Sequence, residues 1–301
     1  MLRMPAISRP AWVSAFSGHA DGGRRSPVEI VATMGTYMTR TQAAGWSGLR
    51  AGSFGRWAYG VTAMREDCAA FASHWQVHNE RILGECAAGR LDAPRGMNEA
   101  FGASGPGPLW VVLGDSTAQG LGAPSPDGGY VGQVLEELRA RTGQPWRVLN
   151  LSVSGALIRD VLRDQVPLLA TLPVAPDLVT CGIGANDILY SAPAKLFGDL
   201  RAVLTAVPDN TVVLDLPLPA GFWGIVGKLS VPYVVRINRA IHDVARARGL
   251  PVAEISSHFT RPWTGKFASD YFHPSQDGYR DWTRALLAAI PPAAAAQAAF
   301  S

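Results

Sequence analysis

One serine and one histidine in this sequence have neighbours that suit nucleophilic chemistry. Residues 109–113 form a short apolar run typical of a buried strand, and the run stops at Gly114-Asp115-Ser116. Ligands of open α/β sheets usually bind at the carboxyl ends of strands, where Ser116 would lie. A serine hydroxyl is a weak nucleophile and needs a base beside it. His273 is the candidate base, because an imidazole accepts protons near neutral pH.

An acidic residue close to His273 could orient its ring. Pro274 disfavours the α-helical region for the residue before it, so His273 is predicted to lie on an extended loop. Asp270, three residues earlier, could accept a hydrogen bond from the imidazole Nδ1–H and fix the tautomer. Each motif alone also has a simpler interpretation, in which Asp115 caps the next turn and Ser275 caps a helix.

The segments around these motifs alternate between strand and helix. This alternation predicts right-handed crossovers and a parallel sheet covered on both faces. Five strands suit the flavodoxin-like order 2-1-3-4-5. The strands are predicted at 109–114, 146–151, 177–182, 211–216 and 251–255, and the helices at 129–142, 157–170, 194–206, 230–248 and 277–289.

Small or short polar residues follow four of the predicted strands. The carboxyl ends of parallel strands meet at one edge of a sheet, so we expect these segments to lie close together. The segments are Gly114-Asp115-Ser116, Gly155, Gly184-Ala185-Asn186-Asp187 and Asp270-x-x-His273. In this order they resemble the four sequence blocks of the SGNH (GDSL) hydrolase family, over residues 109 to 289.

The resemblance implies both a fold and an activity. The fold is a three-layer α/β/α sandwich around a flavodoxin-like five-stranded parallel sheet, here with an N-terminal helical extension. The activity is that of a serine ester hydrolase, with Ser116 as nucleophile, His273 as base and Asp270 as orienting acid. No metal ion or organic cofactor is expected.

The resemblance also implies donors for the oxyanion that forms during ester cleavage. These are the backbone N–H groups of Ser116 and Gly155 and the side-chain amide of Asn186. Asp115 and Asp187 stand beside the reacting positions, and we expect them to support the neighbouring residues and not to act as acids.

Composition restricts the classes of partner. Of the 301 residues, 48% are hydrophobic and 17% are charged, which predicts a sizeable core. Residues 1–60 carry a net charge of +5 and the rest a net charge of −2, which is not a nucleic-acid-binding pattern.

No run of the sequence reaches the roughly 20 apolar residues of a membrane span. Three cysteines without paired spacing fit reduced thiols, so a cytoplasmic location is expected; the oligomeric state is not predicted.

The N-terminal third has its own pattern. Residues 56–86 carry an apolar stripe at intervals of three and four, which predicts a helix. His74 and His78 on this helix could share a metal, but the intervening residues include no glutamate base, so packed histidines are favoured. Met34 and Met38 raise the hypothesis that the natural chain starts at one of them.

The sequence predicts four regions. They are a flexible basic extension (1–56), a helix and linker packing on the core (57–108), the hydrolase domain (109–290) and a disordered tail (291–301).

The stretch after the fourth strand, residues 217–232, is predicted to be a long loop. Loops at this edge commonly shape pockets, so Phe222, Trp223 and Ile225 are expected to line an apolar acyl site or to form a lid; packing on a partner or on the core is the alternative. The predicted substrate is a small-molecule ester with a small or lipophilic acyl group, as for esterases and lipases. An acyltransferase or a carbohydrate O-deacetylase would use the same residues, and a catalytically silent binding or scaffold protein is the alternative of another class.

Overall fold

The computed structural model describes residues 55–88, 107–219, 224–270 and 272–291. Most of the predicted extension, tail and linker falls outside these ranges. In the described part the strands form one parallel sheet in the order β2-β1-β3-β4-β5, as predicted. The strands are β1 (Leu109–Gly114), β2 (Arg147–Asn150), β3 (Leu178–Gly182), β4 (Thr211–Leu214) and β5 (Val252–Ala253).

Helices connect the strands and cover both faces of the sheet, which confirms the predicted fold class. A 3₁₀ turn precedes the third helix, and a π-helical turn (Val161–Gln165) separates the fourth helix from the fifth. In chain order the helices are α1 (Gly55–Ala88), α2 (Ser116–Gln119), α3 (Tyr130–Thr142), α4 (Ile158–Asp160), α5 (Val166–Leu169), α6 (Asp187–Tyr190), α7 (Pro193–Ala206), α8 (Gly224–Arg248), α9 (Ile255–His258) and α10 (Gln276–Ala289).

Each face of the sheet has its own apolar core, because successive strand residues point to opposite faces. Val111 and Leu149 belong to the core that α4, α7 and α8 complete on one side. Val112 and Val148 belong to the core that α3 and α10 complete on the other side. All six residues of β1 are buried, which explains why its sequence is a continuous apolar run.

The carboxyl ends of β1 and β3 are held in register by two glycines. Gly114 pairs with Gly182 across the two strands. A Cβ atom on Gly114 would lie 2.7 Å from the carbonyl oxygen of Gly182, so no larger residue fits there without a shift of the backbone. Ser116 lies two residues after this strand end, so the position of its backbone relative to β3 is fixed.

Helix α1 lies along β2, which is an edge strand of the sheet. The Asn79 side chain pairs with the backbone of Asn150: its Nδ2 donates to the carbonyl oxygen at 2.7 Å, and its Oδ1 accepts from the N–H at 3.0 Å. His78 Nε2 lies 3.0 Å from the carbonyl oxygen of Val148. Side chains of α1 thus satisfy outward-facing backbone groups of β2, which is the edge of the sheet in the described part of the chain.

Two predictions about secondary structure need correction. The predicted helix at 157–170 is divided by the π-helical turn. The predicted loop at 217–232 is wrong from Gly224 onward, because α8 begins there and includes Pro232. Glycine and proline are local loop signals, but a buried stripe along α8 that includes Val234 and Ile237 makes the helix stable as a whole.

The π-helical turn places a buried amide against the end of β1. Gln165 is 1% exposed, its Oε1 accepts from the Gly114 N–H at 2.9 Å, and its Nε2 donates to the Gly114 carbonyl oxygen at 2.9 Å. The Gln165 amide therefore satisfies both backbone groups of the residue that leads to Asp115 and Ser116.

Gln165→Leu should destabilise the protein by about 1–3 kcal/mol, because the buried Gly114 N–H loses its acceptor, while the Gly114 carbonyl oxygen keeps the hydrogen bond from the Val153 N–H. Urea unfolding at neutral pH measures this change in free energy. Gln76→Leu, on the partly exposed face of α1, serves as the control and should shift the free energy of unfolding by less than about 0.5 kcal/mol. Equal stability of Gln165→Leu and wild type would contradict the role given to this amide.

Candidate active site

The candidate nucleophile lies in a tight turn between β1 and α2. Asp115 is the N-cap of α2, and its Oδ1 accepts from the backbone N–H of Thr117 at 3.0 Å and from the Thr117 hydroxyl at 2.8 Å. Ser116 is the first residue of the helix, where the backbone N–H has no intrahelical acceptor. The turn thus presents both the hydroxyl and the N–H of Ser116 at the edge of the sheet.

The imidazole of His273 lies against Ser116. Its Nε2 is 2.9 Å from Ser116 Oγ, and its Nδ1 is 2.6 Å from Asp270 Oδ2. An ionised carboxylate only accepts hydrogen bonds, so the proton of a neutral imidazole lies on Nδ1 and leaves Nε2 free to accept from the serine hydroxyl. The three side chains form one continuous hydrogen-bonded chain.

Asp270 is held in its ionised form by its own loop. Burial by itself would raise the pKa of this carboxyl group, but the hydrogen bond and charge of His273 and the backbone N–H groups of Phe272 and His273 together lower the pKa below its usual value. Those two N–H groups donate to Asp270 Oδ1 at 2.8 Å and 2.9 Å. The segment that carries His273 therefore also fixes the rotamer of its acidic partner.

A glycine permits the His273 loop to approach the segment that follows α2. Gly122 has a φ of +93°, and a Cβ atom there would lie 2.4 Å from the Pro274 carbonyl oxygen and 2.8 Å from the Cβ of His273. The hydroxyl of Tyr279 donates to the carbonyl oxygen of Leu121 at 2.6 Å and ties α10 to the same segment. These contacts bring the serine and histidine segments together from opposite ends of the domain.

Two of the predicted oxyanion donors lie on neighbouring loops. Gly155 is exposed, adopts a φ of +78°, and has nothing within 4 Å of the place where a Cβ atom would stand. Asn186 Nδ2 donates to the Ala156 carbonyl oxygen at 3.0 Å and lies 3.5 Å from Asp115 Oδ2, at the outer limit of a hydrogen bond. The structure thus places Asn186 beside the Gly155 loop, with one of its N–H groups only weakly engaged.

Asp115 and Asp187 are both buried, and burial raises the pKa of each carboxyl group. Asp187 Oδ2 accepts from the Ile158 N–H at 2.9 Å, and Oδ1 accepts from the Ser191 hydroxyl at 2.6 Å. Neither carboxyl group has a hydrogen bond with Ser116 or His273 in the described part of the chain. Their contacts are those of groups that hold α2 and the start of α4.

Sequence reasoning missed the buried amides that surround the candidate nucleophile. Gln119 and Asn150 are fully buried and hydrogen-bonded to backbone and hydroxyl groups of residues 152–154. A polar residue at the end of an apolar strand, such as Asn150, is the one local signal that could have indicated them. The partners of Gln119 and Gln165 are distant in sequence and leave no local pattern.

A mainly apolar cavity lies at the carboxyl ends of β3 and β4. Asp115, Thr117 and Pro274, which flank Ser116 and His273 in sequence, form part of its wall. The rest of the wall is mainly apolar and includes Ile183, Ala185, Ile188, Leu216, Val234 and Phe272. The cavity therefore begins one residue from the candidate nucleophile.

The residues predicted to line a pocket after the fourth strand are not placed by the structure. Phe222 and Trp223 lie outside the described residues, and Ile225 lies in α8 with its side chain outside the description. Their role in binding an acyl group stays a prediction.

The other histidine, cysteine and carboxyl groups of the described residues do not form a metal site. No group of three or more His, Cys, Asp or Glu side chains there could hold a metal ion. His74 and His78 stack with their ring centroids 6.3 Å apart, and Cys68, Cys86 and Cys181 are buried and form no disulfide among the described residues. Each helix in the described part of the chain is too short or too polar to cross a bilayer.

Asp270→Asn should weaken the protein in a pH-dependent way. Because the pKa of Asp270 is lower in the folded state than the usual value of about 3.9, its contribution to stability is present above pH ~4 and is lost as the pH falls through the folded pKa. We expect the free energy of unfolding of wild type to exceed that of the variant by about 1–3 kcal/mol near pH 7 and by less near pH 3. Urea unfolding at both pH values measures this difference. Asp277→Asn on the exposed face of α10 is the control. A difference that grows as the pH falls would contradict this account.

Comparisons with known proteins bear on the family and on the fold. The sequence matches the GDSL-like Lipase/Acylhydrolase family over residues 112–280. No curated protein sequence matches the chain. Among solved structures, TesA is 24% identical with a TM-score of 0.51, over 61% of this chain and 98% of that chain. The lipase Lip_vut3 from a goat rumen metagenome is 19% identical with a TM-score of 0.52, over 60% of this chain and 97% of that chain.

A third solved structure extends this likeness of fold. The lipase/acylhydrolase from Enterococcus faecalis is 22% identical with a TM-score of 0.50, over 60% of this chain and 94% of that chain. At these identities the structures support the α/β/α fold, and the family assignment rests on the sequence match, which covers more than half of the chain. The chain belongs to the GDSL-like lipase/acylhydrolase family.

Proposed function

We propose that the protein is a serine ester hydrolase that forms an acyl intermediate on Ser116. The observation that carries the proposal is the hydrogen-bonded chain from Ser116 Oγ through the His273 ring to Asp270, with distances of 2.9 Å and 2.6 Å. A hydroxyl, an imidazole and a carboxylate in this order are the arrangement that activates serine for acyl transfer.

The first half of the reaction transfers the acyl group to the enzyme. His273 Nε2 takes the hydroxyl proton as Ser116 Oγ attacks the ester carbonyl carbon, which gives a tetrahedral oxyanion. Collapse of this intermediate breaks the bond to the alcohol oxygen, which receives the proton from His273. Asp270 stabilises the imidazolium that exists between the two proton transfers, and its lowered pKa keeps it ionised.

The second half returns the enzyme to its starting state. Water replaces the alcohol, His273 takes one of its protons, and the resulting hydroxyl attacks the acyl carbon. The acyl–oxygen bond to Ser116 then breaks, and the serine oxygen receives the proton. The acid leaves, and each proton taken by His273 has been given back.

We assign the oxyanion to three donors on three strand ends: the N–H groups of Ser116 and Gly155 and the amide of Asn186. The start of α2 supports this assignment, because the first N–H groups of a helix have no partner within it. The weak 3.5 Å contact of Asn186 with Asp115 also supports it, since that N–H can turn toward an oxyanion at little cost. Loss of one such donor typically lowers the rate by about 10²–10³.

The cavity beside the candidate nucleophile supports a proposal for the substrate class. Its apolar walls suit an aliphatic acyl group, and its position next to Asp115 and Thr117 lets such a group extend from an ester carbonyl held at Ser116. Each methylene that enters the cavity contributes about 0.8 kcal/mol, or up to about fourfold in kcat/KM. We therefore propose that lipophilic acyl esters are better substrates than acetate esters.

Ser116→Ala should abolish hydrolysis of p-nitrophenyl esters. The expected loss in kcat is at least about 10⁴-fold, because the nucleophile and not a binding group is removed. Wild type should also be labelled covalently by a fluorophosphonate, and Ser116→Ala should not. Ser125→Ala, in the segment just before the 3₁₀ turn, is the control for a serine outside the candidate site. Full activity of Ser116→Ala would refute the proposed function.

Ile188→Trp should shorten the preferred acyl chain, because the larger ring fills part of the cavity. We expect kcat/KM for a p-nitrophenyl octanoate to fall roughly tenfold and that for the acetate to stay within about twofold. Lys195→Trp, on the exposed side of α7, tests the effect of an added tryptophan elsewhere. Equal losses on both esters would show that the cavity does not hold the acyl chain.

A further inference from the structure

A single buried amide joins the helix that carries the candidate nucleophile to the loop that carries the Gly155 donor. Gln119 is fully buried at the end of α2. Its Nε2 donates to the Ser152 carbonyl oxygen at 2.9 Å, and its Oε1 accepts from the Ser154 hydroxyl at 2.5 Å. Gln119 thus sets the separation between α2 and the residues that lead to Gly155.

Asn150 makes a second connection between the same two segments. Its Nδ2 donates to the Ala118 carbonyl oxygen in α2 at 2.8 Å. Its Oδ1 accepts from both the N–H and the hydroxyl of Ser152, at 3.1 Å and 2.5 Å. Because Gln119 and Asn150 are both fully buried, water does not compete for these hydrogen bonds.

Side chains of helix α1 hydrogen-bond to the backbone of both residues. Trp75 Nε1 donates to the Gln119 carbonyl oxygen at 2.9 Å, and Asn79 pairs with the backbone of Asn150 on both its polar atoms. Earlier in α1, the Cys68 thiol contacts the Ser154 hydroxyl. Cys68 also forms a small apolar cluster with Phe71 of α1 and Leu121, the second residue after α2.

We propose that α1 is a positioning element of the catalytic site, which holds the nucleophile and the Gly155 donor at a fixed separation through Gln119. This proposal rests on the proposed function. Helix α1 lies before residue 112, where the family match begins, so this part of the framework belongs to this chain's N-terminal region. An oxyanion donor displaced by about 1 Å costs up to about 10²-fold in rate, so a loosened framework acts on the transition state more than on substrate binding.

The test compares kcat and KM for p-nitrophenyl butyrate in the full-length chain. Gln119→Met keeps the length of the side chain but removes both hydrogen bonds to the Gly155 loop. We expect its kcat to fall about 10–100-fold while KM stays within about twofold, because the lost interaction is made in the transition state. Trp75→Phe keeps an aromatic ring but removes the hydrogen bond to Gln119, and its kcat should fall about 3–10-fold with KM again unchanged.

Gln76→Ala is the matched control, since Gln76 adjoins Trp75 but hydrogen-bonds to Glu80 on the exposed side of α1. Its kcat and KM should equal those of wild type. All assays are run well below the melting temperature of each variant, so that loss of folded protein does not enter kcat. If Gln119→Met does not fold, Trp75→Phe decides the question alone.

Two results would overturn the proposal. One is a folded Gln119→Met, or in its absence a Trp75→Phe, whose kcat is within twofold of wild type. The other is a rise in KM that accounts for the whole loss of kcat/KM, which would place the effect in substrate binding. If wild type itself neither hydrolyses the ester nor reacts with a fluorophosphonate, the proposed function fails first, and the role of α1 in catalysis falls with it.

Discussion

The contact between Ser116 Oγ and His273 Nε2 joins residues 157 positions apart, and the rest of the site depends on it. Neither residue can reach the other through local structure. The parallel sheet makes the contact possible, because the carboxyl ends of β1 and β3 lie side by side at one edge of the sheet. The His273 loop packs against this edge. Gly114 and Gly122 permit the close backbone approaches that this closure requires.

Burial has opposite outcomes for the carboxyl groups around this contact. Asp270 receives two backbone N–H groups and faces an imidazole, so its pKa falls in spite of burial. Asp115 and Asp187 receive hydrogen bonds as well, but burial dominates and raises the pKa of both. One fold thus keeps a carboxylate ionised where an imidazolium would form in the proposed reaction, while neighbouring carboxyl groups hold backbone segments in place.

The local sequence pattern predicted the sheet but not the buried amides of Gln119 and Gln165 that support the candidate site. The ends of β1 follow from an apolar run that stops at a glycine, and the other strands were placed to within two residues because each is short, apolar and bounded by turn residues. The start of α8 was missed, since Gly224 and Pro232 look like loop residues until the buried face of the helix is seen. The positions of Gln119 and Gln165 depend on partners far away in sequence, which no window of neighbouring residues contains.

The side chains of α1 that pair with β2 have a consequence for where this protein can be divided. A chain cut just before residue 109 would keep the five described strands and each of the candidate catalytic residues. The backbone groups of β2 at Val148 and Asn150 would, however, lose their α1 partners. Such an open strand readily recruits another chain. The smallest fragment of this protein that keeps its edge strand covered is therefore longer than the region that matches its family, residues 112–280.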